Sequence, residues 1–452
     1  MARGNTYFMV GVEGGIRIRE FEGLIGAELG ELLEYREGGT IGRLDDGGGY
    51  LNAVENGIAL LDASLIRKTA HEIGNESADR ITKSMSDKIA SAAHLLIRKL
   101  AFSSPILVRF HNDADGTGGA LSMHAALKDA GSRLGSRGNV IWIMQRGVSY
   151  SAADAGADIL VANNYSCLEK PLLILVDFGT TSDSNLGIGA IRDRFDVIWL
   201  DHHPPSDGFE GIGLEHYINP WRFGGNSNYT AGLLASEFCS MMSDADTRVF
   251  ERASLIGDYS DYVDSSWNTD VSTVLDFITS DPESAYGSDK SNVTPQEIDA
   301  VLNDRKRFTE MLHYANMRLG EALDAGMKDI KAYQAGQHRV YVLDFEDIRS
   351  EDSRYPLPGR FASKLLDRVL ASGDSEAVLI VHAGPYISIR LSKGIGDRIN
   401  LLGIINGIKG AYMSSVEAGG GHLYAAGIKV TDRSEKKRII NAIISSIASG
   451  TG

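Results

Sequence analysis

Acidic and imidazole side chains follow three apolar stretches of the sequence. The segment His111–Gly116 (HNDADG) follows PILVRF, Asp177 follows LLILV, and Asp201–His203 (DHH) follows DVIWL. Because side chains alternate along an extended segment, those of His111, Asp113 and Asp115 can point to one side of the chain. Carboxylates so close together raise one another's pKa, and divalent cations remove that cost. Oxygen ligands with a minority of imidazoles, and no cysteine, favour Mn²⁺ or Mg²⁺ over zinc.

Each of these residues has an ordinary structural interpretation when it is taken alone. An aspartate that follows a strand commonly caps a helix or forms a turn. For the whole set that interpretation requires a coincidence, because capping aspartates would be needed after three strands and histidines would stand beside two of them. Gly116 and Gly179 would also have to follow by chance. We therefore prefer a metal site.

Two further clusters carry weaker signals. The segment ASLIGDYSDYVD contains Asp258 and Asp261, and either carboxylate could lie in a surface turn. Near the C-terminus, the segment 419–422 (GGGH) precedes LYAAGIKV. Successive glycines let backbone N–H groups approach an anion closely, and a following histidine can complete a phosphate or base contact. A flexible tight turn explains the glycines equally well.

Alternating strand and helix patterns must position these residues. From Pro105 onward, apolar β-branched runs alternate with helical segments, which predicts a doubly wound parallel α/β sheet with its ligands beyond the carboxyl ends of the strands. The strands resume in HRVYVLDF, EAVLIVHA and PYISIRLS. The expected fold is an α/β parallel-sheet domain and a smaller C-terminal α/β domain, with a cleft between them. Before the first strand, apolar residues at helical spacing predict a packed helix: Ile81, Met85, Ile89, Leu96 and Leu100.

The length of 452 residues indicates several domains. We expect an appended N-terminal element of unknown role over 1–74 and a catalytic domain over 75–262. A helical connector or insertion is expected over 263–340, with one long helical pattern that begins at the cap-like Thr294. Residues 341–452 are expected to form a substrate-clamp domain.

The composition bounds the class of protein. Hydrophobic residues make up 43% and charged residues 23%, as in soluble globular proteins. No apolar run approaches the roughly 18 residues of a membrane span and no signal peptide is recognisable, so a cytoplasmic protein is expected. Cys167 and Cys239 indicate neither a disulfide framework nor a zinc knuckle. A net charge of −15 has the wrong sign for nonspecific coating of nucleic acid, so such binding would need a local basic lining.

The motifs taken together resemble a known family. HNDADG, Asp177, DHH, GDYSD and GGGH occur in the order found in the DHH superfamily with its associated C-terminal domain, and the chain most resembles archaeal RecJ-like exonucleases. The resemblance implies an exonuclease of single-stranded DNA or RNA in DNA replication or repair. It also implies two Mn²⁺ (or Mg²⁺) ions, which in two-metal hydrolysis lie about 3.5 to 4 Å apart and activate a water.

The resemblance assigns roles to individual residues. The implied metal ligands are His111, Asp113, Asp115, Asp177, His202 and Asp261, with Asp177 as the bridge. His203 would contact the scissile phosphate, and Asp201 would orient the imidazoles. The implied substrate-binding residues are Arg222, Arg390, Lys393, Gly419, Gly420, Gly421 and His422.

Other functions fit the same motifs. A non-catalytic partner of the GINS complex and the replicative helicase occurs among relatives of this family, but degenerate metal motifs would favour that role and the motifs here are intact. A short-oligonucleotide or cyclic-dinucleotide phosphodiesterase also uses DHH with GGGH. A family II pyrophosphatase fits less well, because its C-terminal domain lacks GGGH. The sequence does not distinguish DNA from RNA or 5′ from 3′ digestion.

Overall fold

A computed structural model describes residues 74–450 of the protein except 103, 135–138, 166–168, 288–289 and 349–352, and four strands before residue 74. The remainder of the expected N-terminal element, and Cys167, lie outside the described residues. The early strands form two antiparallel pairs, β1 with β2 and β3 with β4; their bounds are Thr6–Gly11, Arg17–Glu22, Leu33–Arg36 and Thr40–Arg43.

A five-stranded parallel sheet forms the first domain. Its strands lie in the order β6-β5-β7-β8-β9, and their bounds are Pro105–His111 (β5), Asn139–Gln145 (β6), Leu172–Val176 (β7), Asp196–Leu200 (β8) and His216–Ile218 (β9). The chain passes from β5 to β6 on one side and returns to β7 on the other. Such a reversal opens a crevice at the carboxyl ends of the two strands it separates, which is where open α/β sheets bind ligands.

Helices cover both faces of this sheet, which confirms the predicted doubly wound α/β architecture. Even-numbered residues of β5, such as Val108, pack against α1 (Glu76–Ala101), α2 (Ala114–Leu134) and α5 (Ala231–Ser240). Leu107 packs on the other face, which α3 (Ala152–Ala162) and α4 (Asn185–Ile191) cover. The helix predicted before the first strand is α1, and its five predicted apolar positions are all buried.

A run of helices joins the two sheets. It comprises α6 (Arg248–Gly257), α7 (Asp270–Ser280), α8 (Pro282–Tyr286), α9 (Pro295–Leu302) and α10 (Arg305–Asp329). Thr294 caps α9 in a capping box with Glu297, as its position in the sequence predicted. The predicted single long helix is instead α9 followed by α10, because the Asp304 side chain accepts backbone N–H bonds from Lys306 and Arg307 and starts a new helix. In the described part of the chain no helix is long and apolar enough to cross a membrane.

A mixed six-stranded sheet forms the C-terminal domain. The strand order is β10-β11-β12-β13-β15-β14 and only β11 and β12 are parallel; the bounds are Lys331–Ala335, His338–Asp344, Val378–Ala383, Tyr386–Leu391, Val416–Gly421 and Ala425–Val430 for β10 to β15 in turn. The sheet packs between α10 and α11 on one face and α13 and α14 on the other, with the short α12 after β13; α11 to α14 are Pro358–Ala371, Lys393–Gly396, Leu401–Ala411 and Lys436–Ser449. The expected division at 340/341 falls inside β11, so this sheet begins earlier in the chain.

Candidate metal centre

The turn after β7 carries Asp177 into the crevice between β5 and β7. Asp177 has φ 67°, an uncommon conformation for a residue other than glycine, and its N–H donates to the Leu200 carbonyl at 2.9 Å. Two residues later Gly179 has φ 94°, and a Cβ there would lie 2.6 Å from the Trp199 ring. This turn therefore requires glycine at position 179, and it sends the buried Asp177 carboxylate over the end of the sheet.

The two oxygens of Asp177 face two different groups of donors. Oδ2 lies 3.6 Å from His111 Nδ1, which is itself 2.8 Å from Asp113 Oδ2. Oδ1 lies 3.3 Å from His202 Nε2, which is 3.4 Å from Asp115 Oδ2. In each group one donor atom of every member lies within 4.8 Å of the others. One carboxylate thus connects two sets of donors that could each hold a cation.

The N-terminus of α2 positions Asp113. Its Oδ1 accepts backbone N–H bonds from Asp115 at 3.1 Å and Gly116 at 3.0 Å, so the carboxylate caps the helix while Oδ2 faces His111. A Cβ at Gly116 would lie 2.5 Å from the His111 carbonyl oxygen. The ordinary capping role and the ligand role therefore coexist in Asp113, since each uses a different oxygen.

The N-terminus of α5 positions Asp115, which is buried. Its Oδ2 accepts from the Ala231 N–H at 2.9 Å and its Oδ1 from the Gly232 N–H at 2.7 Å; the Ser254 hydroxyl also donates to Oδ1. Sequence reasoning did not identify Ser254. The sequence feature that could have pointed to Ser254 is its position on α6, one helical turn before Asp258.

Backbone and carboxylate acceptors orient the two histidines of the DHH segment. His202 Nδ1 lies 2.8 Å from the Ser227 carbonyl, so it donates there and leaves Nε2 toward the carboxylates. His203 Nδ1 lies 2.7 Å from Asp201 Oδ1, and the Thr180 hydroxyl donates to Asp201 Oδ2. This geometry fits the expected orienting role of Asp201 toward His203. No sequence pattern pointed to Ser227 or Thr180.

Asp258 also lies near the cluster, whereas Asp261, which the resemblance implies as a ligand, lies apart from it. Asp258 directly follows the last residue of α6, and its Oδ2 lies 3.7 Å from His202 Nε2. The Asp261 side chain is 53% exposed, pairs with Lys393, and accepts from Asn228 Nδ2 at 3.0 Å. The physical reason is where the helix ends: α6 stops at Gly257, so Asp258 points back at the crevice and Asp261 lies on a surface turn.

The electrostatics of the cluster reflect crowded carboxylates. Burial raises the pKa of Asp258 to about 6, and neighbouring Asp177 adds to the shift. Burial and Asp177 likewise raise the pKa of Asp115 well above its ordinary value. Burial alone would raise the pKa of Asp177 too, yet the neighbouring imidazoles of His111 and His202 hold it well below the ordinary range. A divalent cation would relieve this crowding, so the donor set fits hard cations.

The C-terminal domain brings the GGGH segment to the cluster. The His422 ring stacks on that of His203, with 4.4 Å between centroids and 20° between planes, and its Nε2 lies 4.0 Å from Asp258 Oδ2. A Cβ at Gly420 would lie 3.6 Å from Thr181 Cγ2, so β14 passes close to the turn after β7. Gly420 thus lies at a close approach between the two domains, whereas the nearest neighbours of Gly419 and Gly421 belong to the C-terminal domain itself.

The predicted substrate-binding arginines differ in position. The Arg390 guanidinium donates to the Ser363 hydroxyl at 2.8 Å and the Gly359 carbonyl at 2.9 Å. Burial lowers its pKa to about 10, and the nearby Asp258 carboxylate opposes that shift. Arg222 instead is exposed, packs 5.6 Å from the centroid of the Tyr217 ring, and donates to the Ile212 carbonyl at 3.3 Å. These contacts of Arg222 are not with the cluster.

Comparison with known proteins finds similarity to a family model over part of the chain. The model of the DHH family, N-terminal domain, matches residues 105–248. The uncharacterized protein MJ1198 of Methanocaldococcus jannaschii is 26% identical over 177 residues, which is 36% of this chain and 23% of that protein. The match thus spans about a quarter of the relative's length.

Solved structures share the fold over more of the chain. The DHH domain of a protein described as a member of a family of ribosomal proteins has a TM-score of 0.70 at 19% identity, covering 89% of this chain and 99% of that one. RecJ of Thermus thermophilus in complex with Mn²⁺ has a TM-score of 0.52 at 16% identity, covering 80% of this chain and 55% of that one. Residues 105–248 thus match a DHH family domain, as the ordered motifs predicted, and the fold of the chain is similar to that of RecJ.

Proposed function

We propose that the protein is a metal-dependent exonuclease that hydrolyses phosphodiester bonds of single-stranded DNA or RNA with two Mn²⁺ or Mg²⁺ ions, in replication or repair. The main observation that supports this proposal is that the two oxygens of Asp177 face separate donor sets, His111 with Asp113 and His202 with Asp115. Carboxylates bridge metal pairs in this way at phosphoryl-transfer sites. Oxygen donors mixed with imidazole suit Mn²⁺ and Mg²⁺.

In this proposal each set holds one ion, and Asp258 completes the set around His202. Bound ions would supply a hydroxide-like water and neutralise charge on the phosphate. The protein's own residues orient the substrate. Asp201 holds the Nδ1 side of His203, which leaves Nε2 available for a phosphate oxygen. Arg390, fixed by Gly359 and Ser363, adds positive charge beside Asp258.

The intact ligand geometry favours hydrolysis over a purely structural role as a partner of GINS. Binding to GINS remains compatible with activity, and a pull-down with purified GINS would test it independently.

A second candidate, hydrolysis of short oligonucleotides or cyclic dinucleotides, is favoured by contacts between the domains. Lys409 Nζ lies 3.1 Å from Asp183 Oδ2, Lys393 pairs with Asp261, and the His422 ring stacks on that of His203. Contacts across the cleft restrict the space for a long strand. Turnover of a dinucleotide compared with a 20-mer would separate the two candidates, since a short-substrate enzyme prefers the dinucleotide.

The decisive experiment is digestion of four end-labelled substrates, single-stranded DNA and RNA each labelled at either end, with added Mn²⁺. The wild type should release nucleotides from one end, and Asp177→Asn should release none. Asparagine tolerates the left-handed backbone at this position, so the variant removes charge without refolding the turn. Asp193→Asn, at an exposed carboxylate outside the site, is the matched control. Hydrolysis retained in Asp177→Asn would contradict the proposal.

A further inference from the structure

Tyr259 has an unusual backbone conformation directly after Asp258. Its φ is 54°, and among the described residues other than glycine only Asp177 shares a positive φ. A bulky residue with positive φ is a genuine outlier, and such outliers concentrate at functional sites. Because consecutive Cα atoms lie about 3.8 Å apart, the tyrosine borders the candidate metal centre.

Two cationic side chains lie over the Tyr259 ring. Arg360 Cζ lies 5.6 Å and Lys364 Nζ 5.1 Å from the ring centroid, and the residue remains 41% exposed. Arg360 is committed elsewhere, since it pairs with Asp276 at 2.7 Å and donates to the Gly257 carbonyl at 2.8 Å. Within the described part of the chain, Lys364 forms no ion pair within 4.0 Å. A partly exposed aromatic ring and an ammonium without an ion pair within 4.0 Å therefore lie together, with the Asp367 carboxylate nearby.

This combination matches the chemistry of a nucleotide. Bases stack on aromatic side chains whatever their identity, because every base has a π-face, and a lysine beside the ring can contact the backbone phosphate. Inorganic pyrophosphate or polyphosphate would make no use of such a ring. Because the protein has a net charge of −15, it repels an anionic strand overall. A lysine beside the metal centre would offset this repulsion locally.

We propose that Tyr259 is the stacking platform for the nucleobase next to the scissile phosphate, and that Lys364 contacts the phosphate beyond that base. The inference rests on the proposed nuclease function and deepens it, because it restricts the substrate to phosphodiesters that carry a base. It also accounts for a tyrosine where glycine or asparagine would fit the backbone more easily.

The test compares the full-length protein and its variants on two single-stranded 12-mers. One carries normal nucleotides and the other carries abasic tetrahydrofuran residues at the two terminal positions of each end. Tyr259→Asn removes the ring and tolerates the left-handed backbone, whereas Tyr259→Phe keeps the ring. The wild type and Tyr259→Phe should lose about 5- to 150-fold in kcat/KM on the abasic strand. Tyr259→Asn should be slower on the normal strand by a similar factor and lose nothing further on the abasic strand.

A ring that merely covers the Arg360–Asp276 pair would behave differently. Tyr259→Asn would then lower the melting temperature and stay as sensitive to the abasic ends as the wild type, and that sensitivity would overturn the inference. A wild type that binds Mn²⁺ but cleaves neither strand would instead overturn the nuclease function itself. For the phosphate contact, Lys364→Gln should reduce the slope of log kcat/KM against log salt by about 0.7, and Lys437→Gln, at an exposed lysine, should not change it.

Discussion

The imidazole rings of His203 and His422 stack 4.4 Å apart although they belong to different domains. His203 belongs to the DHH segment after β8, and His422 follows β14 of the second sheet. The candidate centre is therefore complete only when the C-terminal domain lies against the parallel-sheet domain. Changes in either domain should affect the same chemistry.

The first prediction concerns His422→Asn, which we expect to lower kcat/KM on single-stranded substrate about 10- to 100-fold, the range for residues that orient a metal site. Burial, together with the charges of His203 and His202, holds the pKa of His422 well below its ordinary value, so the ring is neutral above pH 6.5. The loss should therefore be constant from pH 6.5 to 8.5 in rate measurements. A loss that disappears as the pH rises would indicate a catalytic imidazolium instead.

Metal binding should stabilise the fold through Asp177. At a free Mn²⁺ concentration about 100 times Kd, the wild type should gain about 2.7 kcal/mol in unfolding free energy, measured by denaturant titration with and without EDTA. Asp177→Asn should show a far smaller gain and at least about a thousandfold lower hydrolysis, because several kcal/mol of transition-state stabilisation are lost. Asp193→Asn should behave as the wild type. An undiminished Mn²⁺ effect in Asp177→Asn would exclude Asp177 as a ligand.

The variants Asp258→Asn and Asp261→Asn should show which of the two carboxylates is a metal ligand and which is a surface residue. Asp258 lies 3.7 Å from His202 Nε2, whereas Asp261 is 53% exposed and pairs with Lys393. We expect Asp258→Asn to weaken Mn²⁺ binding at least about tenfold in isothermal titration calorimetry, and Asp261→Asn to leave it within about twofold. The reverse order would favour Asp261 as the ligand, as the resemblance implies.

Glu251, which lies outside the candidate metal centre, should make the free energy of unfolding depend on pH. It is buried on α6, accepts from the Ser236 hydroxyl at 3.3 Å, and has its pKa raised to about 6 by burial. A carboxyl with a raised folded pKa contributes stability at low pH that is lost as the pH rises through that value. Relative to the wild type, Glu251→Gln should gain about 1 kcal/mol of unfolding free energy between pH 5 and pH 8, measured with urea. Glu310→Gln, at an exposed position, should show no such gain.

The strand ends were predictable because buried parallel strands are short apolar runs whose carboxyl ends must meet at one edge of the sheet. That argument correctly gathered His111, Asp113, Asp177 and His202. It could not choose between Asp258 and Asp261, since packing of α6 against α2 decides where the helix ends. It also missed the break at Asp304, because an aspartate fits a helix surface as readily as a cap until tertiary contacts decide.

Contacts that depend on backbone atoms were beyond prediction. The Ser227 carbonyl that orients His202 is a main-chain group, and any residue at that position would present one. Arg222 looked suited to phosphate but packs on Tyr217, because the choice between an aromatic face and a substrate is made in three dimensions. The spacing of residues in the sequence limits which side chains can lie close together. The fold determines which way each side chain points.

Arg360 of the C-terminal domain connects the backbone beside Asp258 with the backbone beside Asp113. Its guanidinium binds the carbonyl of Gly257, immediately before Asp258, and pairs with Asp276, whose other oxygen accepts the N–H of Ala114 at 3.0 Å, immediately after Asp113. A swing of the second domain away from the first would pull on both carboxylates at once. Under the proposed function, any opening of the cleft that admits a strand would therefore also disturb the residues proposed to hold the cations.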